Sequence, residues 1–129
     1  MKEYIFETEI KVRDYECDAQ GIVNNANYQH YMEHTRHEYL ESLGENFADM
    51  HDRGVDAVVS RVEISYKTPL KGGDLFLSRL AMRKEGLRWV FDQDIVRKKD
   101  EKLCARGRVE VVVLENGKLT RGDYFDRFI

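Results

Sequence analysis

One carboxylate and three asparagines cluster in the stretch Asp18-Ala19-Gln20-Gly21-Ile22-Val23-Asn24-Asn25-Ala26-Asn27-Tyr28. The stretch leads into a run with helical spacing, so Asp18 stands seven residues ahead of a helix start. Backbone N–H groups at a helix start have no intrahelical acceptor, and the helix dipole adds partial positive charge there. Together they can stabilise an oxyanion that develops on a carbonyl. A carboxylate beside them can attack the carbonyl carbon or activate a water molecule. Gly21, with no Cβ, lets the backbone pass close to a substrate. The same residue types also build a plain capping loop, in which Asp and Asn side chains only satisfy backbone donors. Spacing alone leaves catalysis and capping both open.

Two other constellations compete for attention. His30-Tyr31-Met32-Glu33-His34 matches the H-x-x-E-H zinc signature, and His37 adds a third histidine at helical spacing. On a helical wheel these histidines fall opposite Tyr28, Met32, Thr35 and Tyr39, facing away from the core that would have to position a metal. They read as a surface or interface cluster, and no catalytic metal is expected. Cys17, beside Asp18, would need a histidine partner to act as a nucleophile, and the sequence supplies none. Glu33, Arg36 and Glu38 read as helix-surface ion pairs worth about 0.3–0.5 kcal/mol each, one of which could contact a neighbouring subunit.

The elements that must position Asp18 follow from periodicity. Residues 4–12 alternate as a half-buried strand, with Tyr4, Phe6, Thr8, Ile10 and Val12 on one side. Tyr28, Tyr31, Met32, Thr35, Tyr39 and Leu43 mark an amphipathic helix that Gly44 ends. A short helical turn spans Glu45 to Asp52 and closes at Gly54. Strands follow at Val58–Tyr66, Asp74–Arg83, Leu87–Arg97 and Leu103–Leu114, the third with Leu87, Trp89, Phe91, Gln93 and Ile95 on one face. Compact turns at Lys84–Gly86 and Lys98–Glu101 join the last three. Strand, long helix and four further strands make an α+β pattern. One amphipathic helix cannot cover five strands, so uncovered apolar surface predicts self-association.

Composition sets the outer bounds. At 129 residues, 42% hydrophobic and 35% charged, the chain reads as one folded domain over residues 1–129. A net charge of −3 provides no broad basic field for nucleic acid. No apolar run approaches the ~18 residues of a membrane span. The N-terminal MKEYIFETEIKV carries acids where a signal peptide would be apolar. Two cysteines without C-x-x-C spacing suit a reduced, cytoplasmic protein.

Asp18-Ala19-x-Gly21-Ile22-Val23, Ala26-Asn27-Tyr28, Met32-Glu33, Arg36 and Glu38, then Tyr66, Pro69 and Gly73-Asp74, resemble the 4-hydroxybenzoyl-CoA thioesterase-like branch of the hotdog superfamily. This branch includes the acyl-CoA thioesterases of the Tol-Pal type. The resemblance implies a hotdog fold, a five-stranded antiparallel sheet wrapped around one long central helix. It implies hydrolysis of an acyl-CoA to free acid and thiol without a cofactor, in a homodimer or homotetramer. Asp18 aligns with the family's catalytic aspartate, and the backbone N–H of Asn25 falls where the helix start polarises the thioester carbonyl. Gly21, Asn24 and Tyr28 are implied on the substrate side, and Val59, Ser60 and Arg61 are candidates for lining the acyl and pantetheine pocket. Asn25 departs from the family, which commonly carries Tyr or His there. Val23-Asn24-Asn25-Ala26 looks more like acyl-ACP thioesterases, which usually have His where this chain has Ile22. An amide cannot act as a general base at neutral pH, so Asp18 would carry that role alone. An acyl-ACP thioesterase and a non-catalytic acyl-thioester binding protein remain the alternatives.

Overall fold

Trp89, Val90, Phe91, Ile95 and Val96 are all buried, and the strand that carries them lies in the middle of the sheet. A computed structural model describes residues 3–128. Along the chain come β1 (Phe6–Lys11), α1 (Asn25–Ser42), α2 (Phe47–Asp52), β2 (Val55–Tyr66), β3 (Leu75–Glu85), β4 (Arg88–Arg97), β5 (Leu103–Glu115) and β6 (Lys118–Leu119). Single 3-10 segments occupy Asp14–Glu16 and Asp123–Phe128. The sheet is antiparallel in the order β1-β3-β4-β5-β2, with β6 on β5. This is the α+β hotdog arrangement, a curled sheet against one long helix. Among the described residues, no helix is long and apolar enough to cross a membrane.

α1 lies on the sheet because Tyr28, Tyr31, Met32, Thr35, Tyr39 and Leu40 bury one face at helical spacing. The approach is close at Gly107, where a Cβ would stand 2.4 Å from Met32 Sδ. Two apolar clusters result. One joins the α1 start to Ile10, Val12, Leu70, Phe76 and Ile95, and the other joins Tyr39 and Leu40 to Met50, Leu80, Trp89, Phe91 and Phe125. A buried polar seam lies between their helix contacts: Thr35 Oγ1 and Ser78 Oγ are 2.6 Å apart, and Arg36 Nη1 donates to Gln93 Oε1 at 2.9 Å. Gln93 Nε2 in turn donates to Met32 O at 2.9 Å.

The helix begins at Asn25, seven residues after Asp18, because Asn24 caps it there. Three sequence expectations need correction. Leu87 is not on the core face of β4; it sits exposed in the turn after Gly86. β4 is buried on both faces, since arginines of β3 and β5 lay their stems and charges over its outer side, with Arg106 Nε donating to Asp94 at 2.9 Å and Arg83 Nε to Asp92 at 2.8 Å. The sixth strand comes from Asn116-Gly117, both at positive φ, a tight hairpin turn that brings Lys118–Leu119 back onto β5.

β2 forms one edge of the sheet. Its pairing with β5 slips between Val59 and Arg61, leaving Ser60 as a bulge. Val58 and Val59 are 42% and 43% exposed on this edge.

Candidate active site

Asp18 opens a tight loop. Its N–H donates to Ile22 O at 2.9 Å, and Gly21 N–H donates to Asp18 O at 3.0 Å, with Gly21 at φ +78°. Cys17 and Val23 pair across the base, and Ile22 pairs with Lys71. The Asp18 side chain is exposed, and its Oδ1 accepts from Gln20 N–H at 2.9 Å. Val23 N–H to Leu70 O at 2.9 Å and Asn24 N–H to Glu16 O at 3.0 Å then lead the return limb into α1.

The helix start leaves one donor open. Asn24 Oδ1 accepts from Ala26 N–H at 3.0 Å, and Asn24 O accepts from Asn27 N–H at 2.9 Å. No acceptor among the described residues takes the Asn25 N–H. It opens at a cleft of about 140 Å³ lined by Ile22, Asn25, Tyr28, Tyr66, Thr68 and Pro69. Tyr66 OH donates to Asn25 O at 3.4 Å, and its ring meets Tyr28 edge-on at 5.4 Å. Behind the loop, Glu16 is already engaged, accepting from Arg13 N–H at 2.8 Å and from Tyr31 OH at 2.8 Å. Burial, then this hydrogen bond, pushes the Tyr31 phenol well above its ordinary value. Burial and the neighbouring Asp18, Glu16 and Asp14 push the Cys17 thiol up as well, so Cys17 stays protonated and is a poor nucleophile.

The Asp18 loop thus runs, within seven residues, into an 18-residue helix whose first N–H is open, a donor that can stabilise an oxyanion. The family model of the thioesterase-like superfamily matches residues 12–123, which takes in the loop, the helix and every strand from β2 to β6. The chain belongs to the thioesterase-like superfamily. It is 33% identical over 111 residues to the acyl-acyl carrier protein thioesterase ATL2, chloroplastic, of Arabidopsis thaliana, covering 85% of this chain and 59% of that one. It is 45% identical over 71 residues to the Arabidopsis ATL3 thioesterase, covering 55% and 37%. The chain therefore spans less than two thirds of the length of either plant relative. Its fold superposes on the DHNA-CoA thioesterase from Staphylococcus aureus with a TM-score of 0.80 at 26% identity, covering 95% of this chain and 82% of that one.

Within this thioesterase-like domain the sequence candidates separate. Asp18, Gly21, Asn24, Asn25 and Tyr28 share one corner, but three of them have structural duties: Gly21 makes the turn, Asn24 caps the helix, and Tyr28 OH accepts from Leu70 N–H at 3.1 Å. Val59, Ser60 and Arg61 lie elsewhere in the same copy, roughly 20 Å along β2 from Tyr66. Val59 lines a second cavity, Ser60 Oγ donates to Glu110 O at 3.2 Å, and Arg61 pairs with Glu63.

Arg36 contradicts its reading as a surface ion pair, being only 6% exposed. It sits over the Phe91 ring at 6.0 Å, and burial lowers its pKa to about 10, still charged at neutral pH. The ladder Tyr28, Met32, Arg36, Leu40 at four-residue spacing was the available signal, masked by the charge of its third member. Glu38 does pair on the surface, with His34 at 3.5 Å. His30, His34 and His37 are exposed, and the His37 ring packs on Phe47 at 4.8 Å.

Proposed function

We propose that the protein hydrolyses acyl thioesters to a free acid and a thiol, with Asp18 as the catalytic carboxylate. The observation that carries this reading is the open Asn25 N–H at the α1 start beside the Asp18 loop. A thioester carbonyl oxygen bound there gains a hydrogen bond that strengthens as negative charge develops. As general base, Asp18 takes a proton from the attacking water, the C–S bond breaks, and the proton passes to the leaving thiolate. As nucleophile, Asp18 forms an acyl anhydride as the thiolate leaves, and water then hydrolyses the anhydride to the free acid, giving its proton to the thiolate and restoring Asp18. Gly21 keeps the loop tip free of a side chain, and Tyr66 holds the far wall of the cleft. The Asn25 amide binds or orients but does not titrate.

One similar protein is an acyl-ACP thioesterase and another a DHNA-CoA thioesterase, which supports an acyl group on a pantetheine thiol as the substrate class. The active unit is a homodimer built on the open β2 edge, because an exposed strand with apolar Val58 and Val59 is a template for a second strand. The partner copy then supplies Val59, Ser60 and Arg61 to the site. Thiol release from a panel of acyl-CoA and acyl-ACP thioesters tests the reading. Turnover of at least one class is expected; tight binding with no thiol release across the panel would replace hydrolysis by binding alone.

A further inference from the structure

The Ser60 bulge changes what the β2 edge can do. Val55, Ala57 and Val59 face the helix side before the bulge, and Val62, Ile64 and Tyr66 after it, opposite Glu115, Val113, Val111, Val109, Gly107 and Ala105 of β5. A twelve-residue strand of unbroken alternation, paired antiparallel with itself end to end, sets inward residues opposite outward ones. The bulge removes that conflict. End-to-end pairing now sets Val55 opposite Tyr66, Ala57 opposite Ile64 and Val59 opposite Val62 of the second copy, all on the helix side. On the outer side Asp56 meets Ser65, Val58 meets Glu63 and Ser60 meets Arg61, with no like charges opposed.

This register brings two cavities together. Tyr66 walls the Asn25 cleft, while Ala57 and Val59, near the other end of the strand, wall a cavity of about 260 Å³. Its floor is Phe91, Val111 and Phe125, and Arg36 faces it from α1. Of five guanidinium donors, only Nη1 has an acceptor among the described residues, Gln93. No buried side-chain nitrogen or oxygen there is both sealed off and unbonded, so the remaining Arg36 donors open into the cavity.

Resting on the hydrolysis reading, we infer that the Arg36 cavity of one copy is the acyl pocket for the Asn25 cleft of the other, and takes an acyl group bearing a neutral oxygen acceptor. The volume exceeds the ~150 Å³ that holds a benzene ring. The apolar floor suits a hydrocarbon body, and the open guanidinium donors suit a hydroxyl or keto oxygen on it. Glu33 and Asp56 at the rim disfavour a carboxylate. Arg36 is thus a specificity-determining residue acting in trans to Asp18.

Mixed dimers test this. Copies carrying Asp18→Asn and copies carrying Arg36→Met are co-expressed with different affinity tags, and the heterodimer is purified through both. The probes are hydroxyacyl-CoAs with the hydroxyl at successive positions, each set against the unsubstituted acyl-CoA of equal length. Wild type prefers one hydroxyacyl isomer, and Arg36→Met lowers that kcat/KM ratio about 10- to 100-fold. The heterodimer recovers the wild-type ratio, because one of its two sites pairs an intact Asp18 with an intact Arg36 from the other copy. A heterodimer that keeps the Arg36→Met ratio would overturn the arrangement in trans, and a wild-type ratio near one at every position, or a higher one for a carboxylated chain, would overturn the ligand class. Arg36→Lys, which keeps the charge, guards against misfolding and retains part of the preference. Absence of thiol release from wild type across the panel would instead refute the hydrolysis reading, and full activity of the Asp18→Asn homodimer would refute Asp18 as its carboxylate while the ratios of wild type and Arg36→Met still decide the ligand.

Discussion

Asp18 and Glu16 stand two residues apart, and their surroundings give them different work. Glu16 accepts from the Arg13 backbone and Tyr31 and also pairs with the Arg13 side chain at 3.0 Å, which makes it a brace. Among the described residues, the only side-chain hydrogen bond of Asp18 is local, accepted from Gln20 N–H. A carboxylate so lightly held stays available to a substrate. His51 carries a different kind of charge partner. Its Nδ1 lies 2.7 Å from Asp56 Oδ1, and that hydrogen bond raises its pKa above the ordinary 6.5. A raised histidine value means that the pair stabilises the fold fully below the unfolded value and loses that contribution as pH rises through the folded one. Asp56→Asn should therefore destabilise more at about pH 5.5 than at about pH 8.5. Urea midpoints at the two pH values check this, and equal shifts would show that the pair contributes nothing.

Among the elements, α1 does the positioning, and its cap sets where it starts. Asn24→Ala should cost about 1 kcal/mol, read from urea denaturation at fixed protein concentration, because the Ala26 N–H loses its acceptor. A loss well below that would mean that Asn24 is not holding the helix start. The elements themselves were legible wherever one face met water: β1 and the Tyr28–Tyr39 stripe read correctly from period alone. Periodicity failed where charged side chains do the covering. Val90 of β4 lies beside Arg83 of β3, and Arg36 lies inside the helix stripe, so neither residue type announced its burial. The loop from Asp18 to Asn25 was legible as chemistry only with family resemblance, since capping and catalysis draw on the same side chains. The Ser60 bulge had no sequence signal, because it arises from the mismatch between β2 and β5 and not from either strand alone.

At the scale of the whole molecule, a curled sheet with one helix leaves β2 open, and the proposed dimer closes that edge with a second copy. In the end-to-end register Val58 and Glu63 of different copies are neighbours, so the double variant Val58→Cys/Glu63→Cys should form a dimer disulfide under mild oxidation. Val58→Cys/Arg61→Cys should crosslink far less, and the reverse ranking on a non-reducing gel would shift the register. The dimer is the species on which the central claim has to be measured. The most direct test is steady-state thiol release by the Asp18→Asn dimer on the best acyl thioester. A fall in kcat of at least about 100-fold with an unchanged melting temperature is the expected result. Activity equal to wild type would contradict the assignment of Asp18.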